Sequence, residues 1–100
     1  MARFLVTYIG GGMSHDPELM AQAKAAFMAW AEQTGPALID PGSPLQTVAM
    51  IASGTPAEEA TVTGYSIIEA DDTEAAKALL ASHPFIGRGG TLQVSQALAV

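Results

Sequence analysis

The chain contains no cysteine, carries only four basic residues among its 100, and has few charged residues of any kind, 14% of the total. Without cysteine there can be no disulfide, no thiolate metal site and no cysteine nucleophile. Ten acidic residues against four basic leave a formal net charge of −6. No Lys/Arg cluster offsets it, so a phosphate backbone would be repelled and nucleic acid is excluded as a partner. Long apolar runs are missing too. The opening "MARFLVTYIGGG" is too short for a signal peptide or a membrane span, which gives the expectation of a soluble, cytoplasmic protein with no membrane contact. What is abundant is apolar side chain, 49% of the chain. That composition is opposite to disorder, and a chain of this length folds as one domain over residues 1–100, with apolar surface to spare.

Local patterns give the element order. "ARFLVTYI" is rich in β-branched and aromatic residues and ends at Gly10, Gly11 and Gly12, which reads as a strand entering a loop. In "SHDPELMAQAKAAFMAWAEQTG", Asp16 is placed as N-cap, Pro17 at the first helical position and Gly35 as the stop, with Leu19, Ala23, Phe27 and Trp30 forming one apolar stripe. "PALID" and "PLQTVAMIA" read as two strands joined by a turn at "PGSP", and "SGTPAEEA" as a polar loop. "TVTGYSIIEA" is the clearest strand, with Val62, Ser66 and Ile68 on one face and Thr63, Tyr65, Ile67 and Glu69 on the other. A second helix starts at Asp71 or Asp72, with Glu74 in capping-box spacing after Asp71, and ends at Pro84. "TLQVSQALAV" is the last strand.

This order predicts an α+β, ferredoxin-like βαββαβ fold: an antiparallel four-stranded sheet with two helices, near residues 17–34 and 73–82, on one face. The other sheet face would carry Tyr65 and Ile67 uncovered. An apolar patch beyond roughly 300–600 Å² marks an interface, so the expected partner is a second copy of the chain, a homodimer through the open sheet faces.

The segments "FLVTY", "AWAEQTGPALIDPGSPL", "VTGYSIIEADDTEAAKALLASHPFI" and "GGTLQV", in this order and spacing, resemble the YCII-related domain family. The resemblance covers nearly the whole chain and implies the dimeric α/β-barrel form of the ferredoxin-like fold. It also implies either a lyase-type enzyme, of the kind linked to dehalogenation of aromatic compounds, or an accessory domain. The sequence departs from family patterns in two places. The first helix offers Lys24 and Glu32 but no histidine, since His15 precedes it, so the family's helix histidine and its aspartate partner are not carried over. "SGTPAEEATVTG" lacks the Asp-Gly-Pro-Phe loop of a larger subgroup.

The candidate site is centred on "LLASHPFIGRGG". His83 falls where the second helix stops. There it can serve as a C-cap that lets the helix dipole hold an imidazolium, or as the general acid or base of a pocket. Arg88, among glycines, can clamp a carboxylate or serve as a solvated loop residue; the loop is no phosphate motif. Tyr65 and Asp40 are placed to orient a substrate beside His83, or else act as a buried aromatic and a turn former. Trp30 and Phe27 read as packing. The pair His15–Asp16 lacks a third ligand, so no metal is expected, and no cofactor. Ser43, Ser66 and Ser82 have no nucleophile-elbow context. Three readings follow: a lyase- or isomerase-type enzyme acting on a small organic acid or aromatic through His83, with Arg88 holding a small anionic metabolite; a non-catalytic dimeric module binding such a molecule; or an accessory subunit without a pocket.

Overall fold

In the computed structural model, which describes residues 1–10 and 16–99, the first strand follows the period of two that a half-covered sheet imposes. Along β1 (Ala2–Ile9), Phe4 and Val6 are buried while Arg3 and Leu5, at the alternate positions, are exposed. The strand Val62–Ala70 repeats this, burying Ser66, Ile68 and Ala70 between half-covered neighbours. It is β3, and it pairs antiparallel with β1, Phe4 opposite Ile68 and Val6 opposite Ser66. On the other side of β1 lies β4 (Thr91–Gln96), with Val94 opposite Val6. β2 (Leu38–Pro44) pairs with the free side of β3, giving the order β2-β3-β1-β4, antiparallel throughout.

Two helices cover one face. Helix α1 (Pro17–Thr34) starts as the sequence predicts: Asp16 accepts the Glu18 amide at 2.9 Å, and Pro17 occupies the first turn. It stops at Gly35, whose φ of +64° a side chain would disfavour. Helix α2 (Thr73–Leu80) is capped by Asp72, which accepts the Ala75 amide at 2.8 Å. Glu74 therefore plays no part in a capping box and instead meets Lys77 at 3.5 Å on the surface. Trp30 of α1 and Ala76 and Leu80 of α2 close over Phe4, Val6, Ile68 and Ala70 in one core. Each large side chain buried there contributes about 1.5–3 kcal/mol. The Trp30 indole also donates to the Leu79 carbonyl at 3.1 Å, joining the helices. This is the ferredoxin-like βαββαβ arrangement.

Three expectations are corrected. "PGSP" is not a turn between strands but the end of β2, and "PLQTVAMIA" is not a strand. The Asp40 carboxylate accepts the Gly42 amide at 2.8 Å, bulging the strand so that it stays paired with β3 as far as the Leu45 amide bond to Thr63. Beyond this both edges of β3 are occupied, and residues 46–60 run exposed without forming a strand. The second helix ends at Leu80 instead of continuing to residue 82, and a further short helix, α3 (Pro84–Gly87), follows it. The apolar stripe of α1 is buried only at its C-terminal end: Trp30 is 3% exposed but Leu19 is 51% exposed. The N-terminal half of α1 stands off the sheet.

Candidate functional site

The gap left by α1 is a cleft of about 1160 Å³ between the N-terminal half of that helix, the end of β2, and α3. Its walls include Leu19, Met20, Phe27 and Phe85, so it is largely apolar, and Tyr8 and His83 are among the residues that line it. Tyr8 reaches this place by strand period: it follows Phe4 and Val6 on the helix-covered face, at the end of β1 where the core stops.

His83 is placed by the proline after it. Proline disfavours the helical conformation in the residue it follows, and His83 is accordingly extended, at φ −64° and ψ 130°. Its backbone amide donates to the Leu80 carbonyl at 3.0 Å, but its side chain does not cap α2. It becomes the N-cap of α3, with Pro84 at the first helical position, and its Nδ1 accepts the Phe85 amide at 3.0 Å. The C-cap expected for His83 is thus replaced by an N-cap on the next helix.

The hydrogen bonds fix the direction of a chain of polar groups. Because Nδ1 accepts, the proton of a neutral imidazole lies on Nε2, which donates to the Tyr8 hydroxyl at 3.1 Å. The Ser66 hydroxyl donates to the Pro41 carbonyl at 2.8 Å, so its one proton is used and the Tyr8 hydroxyl donates to Ser66 Oγ. The imidazole is enclosed by rings, with Trp30 at 4.4 Å, Tyr8 at 5.1 Å and Phe27 at 5.8 Å between centroids. That burial, and secondly the charge of Arg88, lower its pKa to about 4. An imidazolium near neutral pH, expected from the dipole of the preceding helix, does not form here. Burial raises the Tyr8 pKa, against a smaller opposing effect of the Ser66 hydrogen bond, so the phenol stays protonated.

Of the four residues singled out in the sequence, His83, Tyr65 and Arg88 line the cleft and Asp40 does not. The Tyr65 hydroxyl donates to the Asp40 carboxylate at 3.3 Å. Tyr65 lies opposite Thr7, and so on the sheet face away from Ser66 and Tyr8. Neither Tyr65 nor Asp40 is the partner of His83; Tyr8 is. Arg88 holds its guanidinium 5.7 Å from the Phe85 ring centroid. Tyr8 and the structural use of Ser66 were missed in the sequence, although the alternation Phe4, Val6, Tyr8 was there to be followed toward the cleft. His15 lies outside the described residues. Among the described residues no three metal-ligating side chains come together, and no helix is long and apolar enough to cross a membrane.

A ferredoxin-like α+β domain with an apolar cleft between helix and sheet is the class that fold and site define. No family model and no curated protein sequence matches the chain. Its fold is similar to that of a solved structure, 5-chloro-2-hydroxyhydroquinone dehydrochlorinase (TftG) from Burkholderia phenoliruptrix AC1100 in complex with 2,5-dihydroxybenzoquinone. The TM-score is 0.60 at 16% identity, covering 96% of this chain and 93% of that one.

Proposed function

We propose that this chain is a YCII-related enzyme that takes a small aromatic or organic acid into the cleft and carries out a lyase- or isomerase-type step there, with Tyr8 and His83 handling the proton. The observation that carries this reading is the pairing of a protonated, partly buried phenol with a neutral imidazole at an apolar cleft. A substrate oxygen entering the cleft competes with Ser66 for the Tyr8 proton. If that proton passes to the substrate, the resulting phenolate keeps the Nε2–H bond from His83, which disperses its charge; the proton returns to Tyr8 when product forms. Tyr8 is then the general acid and His83 the group that supports it. The dehydrochlorinase of similar fold acts on a hydroquinone, and its structure holds a quinone, which supports an aromatic ligand.

A second reading, a non-catalytic binding module, is favoured by a separate observation: the imidazole spends its lone pair on the Phe85 amide and has none to accept a proton at neutral pH. One experiment separates the two. Binding and product formation are followed by NMR with substituted hydroquinones and benzoates, for the unaltered chain and for Tyr8→Phe. The variant keeps the ring that stacks on Phe85 at 5.2 Å. Turnover that falls by roughly 10²–10⁴-fold in Tyr8→Phe with binding retained is the expected result. Binding without product in either protein indicates the module, and no binding at all removes both readings. The proposal also includes a homodimer as the working form and the cytoplasm as its compartment.

A further inference from the structure

The chain is acidic, yet its cleft has the opposite sign. At ten acidic residues to four basic, acids should outnumber bases on any sizeable wall. Among the described residues that line the cleft, Lys24 and Arg88 are basic and no aspartate or glutamate is present.

The pairing of the four cations sharpens this. Arg3 meets Glu69 at 3.7 Å and Lys77 meets Glu74 at 3.5 Å, both away from the cleft. Lys24 and Arg88 have no carboxylate within ion-pair distance among the described residues. They come from different elements, Lys24 from the standing half of α1 and Arg88 from the turn after α3. Arg88 lies 5.7 Å from the Phe85 ring centroid, and its charge bears on His83, which lines the same cleft. An apolar wall with two unpaired cations and hydrogen-bonding groups of Tyr8 and His83 deeper in is a receptor for a ring that carries a negative charge at one end and an oxygen at the other.

We propose that the cleft selects an aryl carboxylate of one ring, with Lys24 and Arg88 holding the carboxylate and Tyr8 meeting a ring oxygen. The inference rests on the reading of the cleft as a small-aromatic site. It makes Lys24, a residue given no ligand role by the sequence pattern, a determinant of specificity. An arginine fork donates to the two carboxylate oxygens together, whereas the lysine adds charge without fixed direction.

The test compares neutral and charged ligands of one shape by calorimetry: 4-hydroxybenzoate against 4-hydroxybenzamide. Both are measured with the unaltered chain, Lys24→Met, Arg88→Met and the double variant. Both side chains are exposed, so the variants keep the fold, which a thermal melt checks. The unaltered chain should prefer the carboxylate by about tenfold or more, the scale of one hydrogen bond to a charged group. Each variant should reduce that preference and the double variant should abolish it. The preference should also shrink between about 0.01 M and about 1 M salt, where the screening length falls from roughly 30 to 3 Å. Equal affinity for acid and amide in all four proteins would overturn the anion inference and leave the aromatic site standing. If neither ligand bound to any of the four proteins, both readings would be removed.

Discussion

At the scale of the residue, His83 shows how one side chain can meet two demands. Its Nδ1 caps a helix and its Nε2 holds a tyrosine, and both need the neutral ring. Protonation would place an N–H on Nδ1 against the Phe85 amide, in a surround of three aromatic rings. An unfolded imidazole takes its proton near pH 6.5, the folded one only near 4. Between these values the unfolded state binds more protons, so stability is full above about pH 6.5, falls as the pH drops toward 4, and stops falling on this account below it. The difference corresponds to at most about 3.5 kcal/mol. His83→Asn keeps an N-cap acceptor for Phe85 while removing the titration. Urea unfolding at pH 7 and pH 4.5 should therefore show the unaltered chain losing about 2 kcal/mol more than the variant between the two conditions. An equal loss in both would mean that the ring is not held neutral by the fold.

At the scale of the element, β2 is where sequence and structure part. Proline and glycine in "PGSP" are turn residues, and local propensity alone reads them as a reversal. The structure uses them to bulge a strand while it remains paired: Gly42 sits at φ +79°, and a Cβ there would lie 1.7 Å from the Tyr65 carbonyl oxygen. What decides is contact with β3, which no local pattern contains. The same holds for α3, since "HPFIG" looks like the end of one helix until His83 is seen to start another. By contrast both long helices, the cap at Asp16 and the alternation in β1 and β3 were legible, because a cap and a period are local; the second cap, which the sequence leaves between Asp71 and Asp72, is decided only by the fold, at Asp72. The site was half legible: His83 and Arg88 stand out as rare residue types, but Tyr8 becomes their neighbour only when β1 and α3 are brought together. Gly42→Ala tests the account of β2. The substitution forces the backbone off Tyr65 and moves the Pro41 carbonyl that accepts from Ser66. It should destabilise by about 2 kcal/mol or more, above the ordinary cost of a side chain at positive φ, and should alter the Tyr8 ring signals in NMR spectra. A variant as stable as the unaltered chain, with those signals unmoved, would show that the close approach is not a constraint.

At the scale of the whole molecule, the fold is two layers, helices on a sheet, and is 19 Å across its thinnest axis. One sheet face packs on the helices; among the described residues no helix covers the other. Leu5 on that face is 41% exposed, opposite Ile67 of β3 and Ser95 of β4, and along residues 45–60 Val48 and Ile51 are 90% and 97% exposed. Apolar side chains in such positions stabilise an assembly only when a second surface removes them from water, at roughly 25 cal/mol per Å² before the costs of association. We therefore propose that the open faces of two copies meet, with the helices outside, over an interface of the standard size of about 1,600 Å². Sedimentation at micromolar concentration should give a species of twice the 10.3 kDa chain mass. Leu5→Glu places a charge at the centre of the face, on a side chain that is 41% exposed in the single chain. The variant should therefore sediment as a folded monomer, its circular dichroism unchanged, because burying two unpaired carboxylates costs several kcal/mol each. A monomer from the unaltered chain, or a dimer from Leu5→Glu, would mean that this face is not where two copies join.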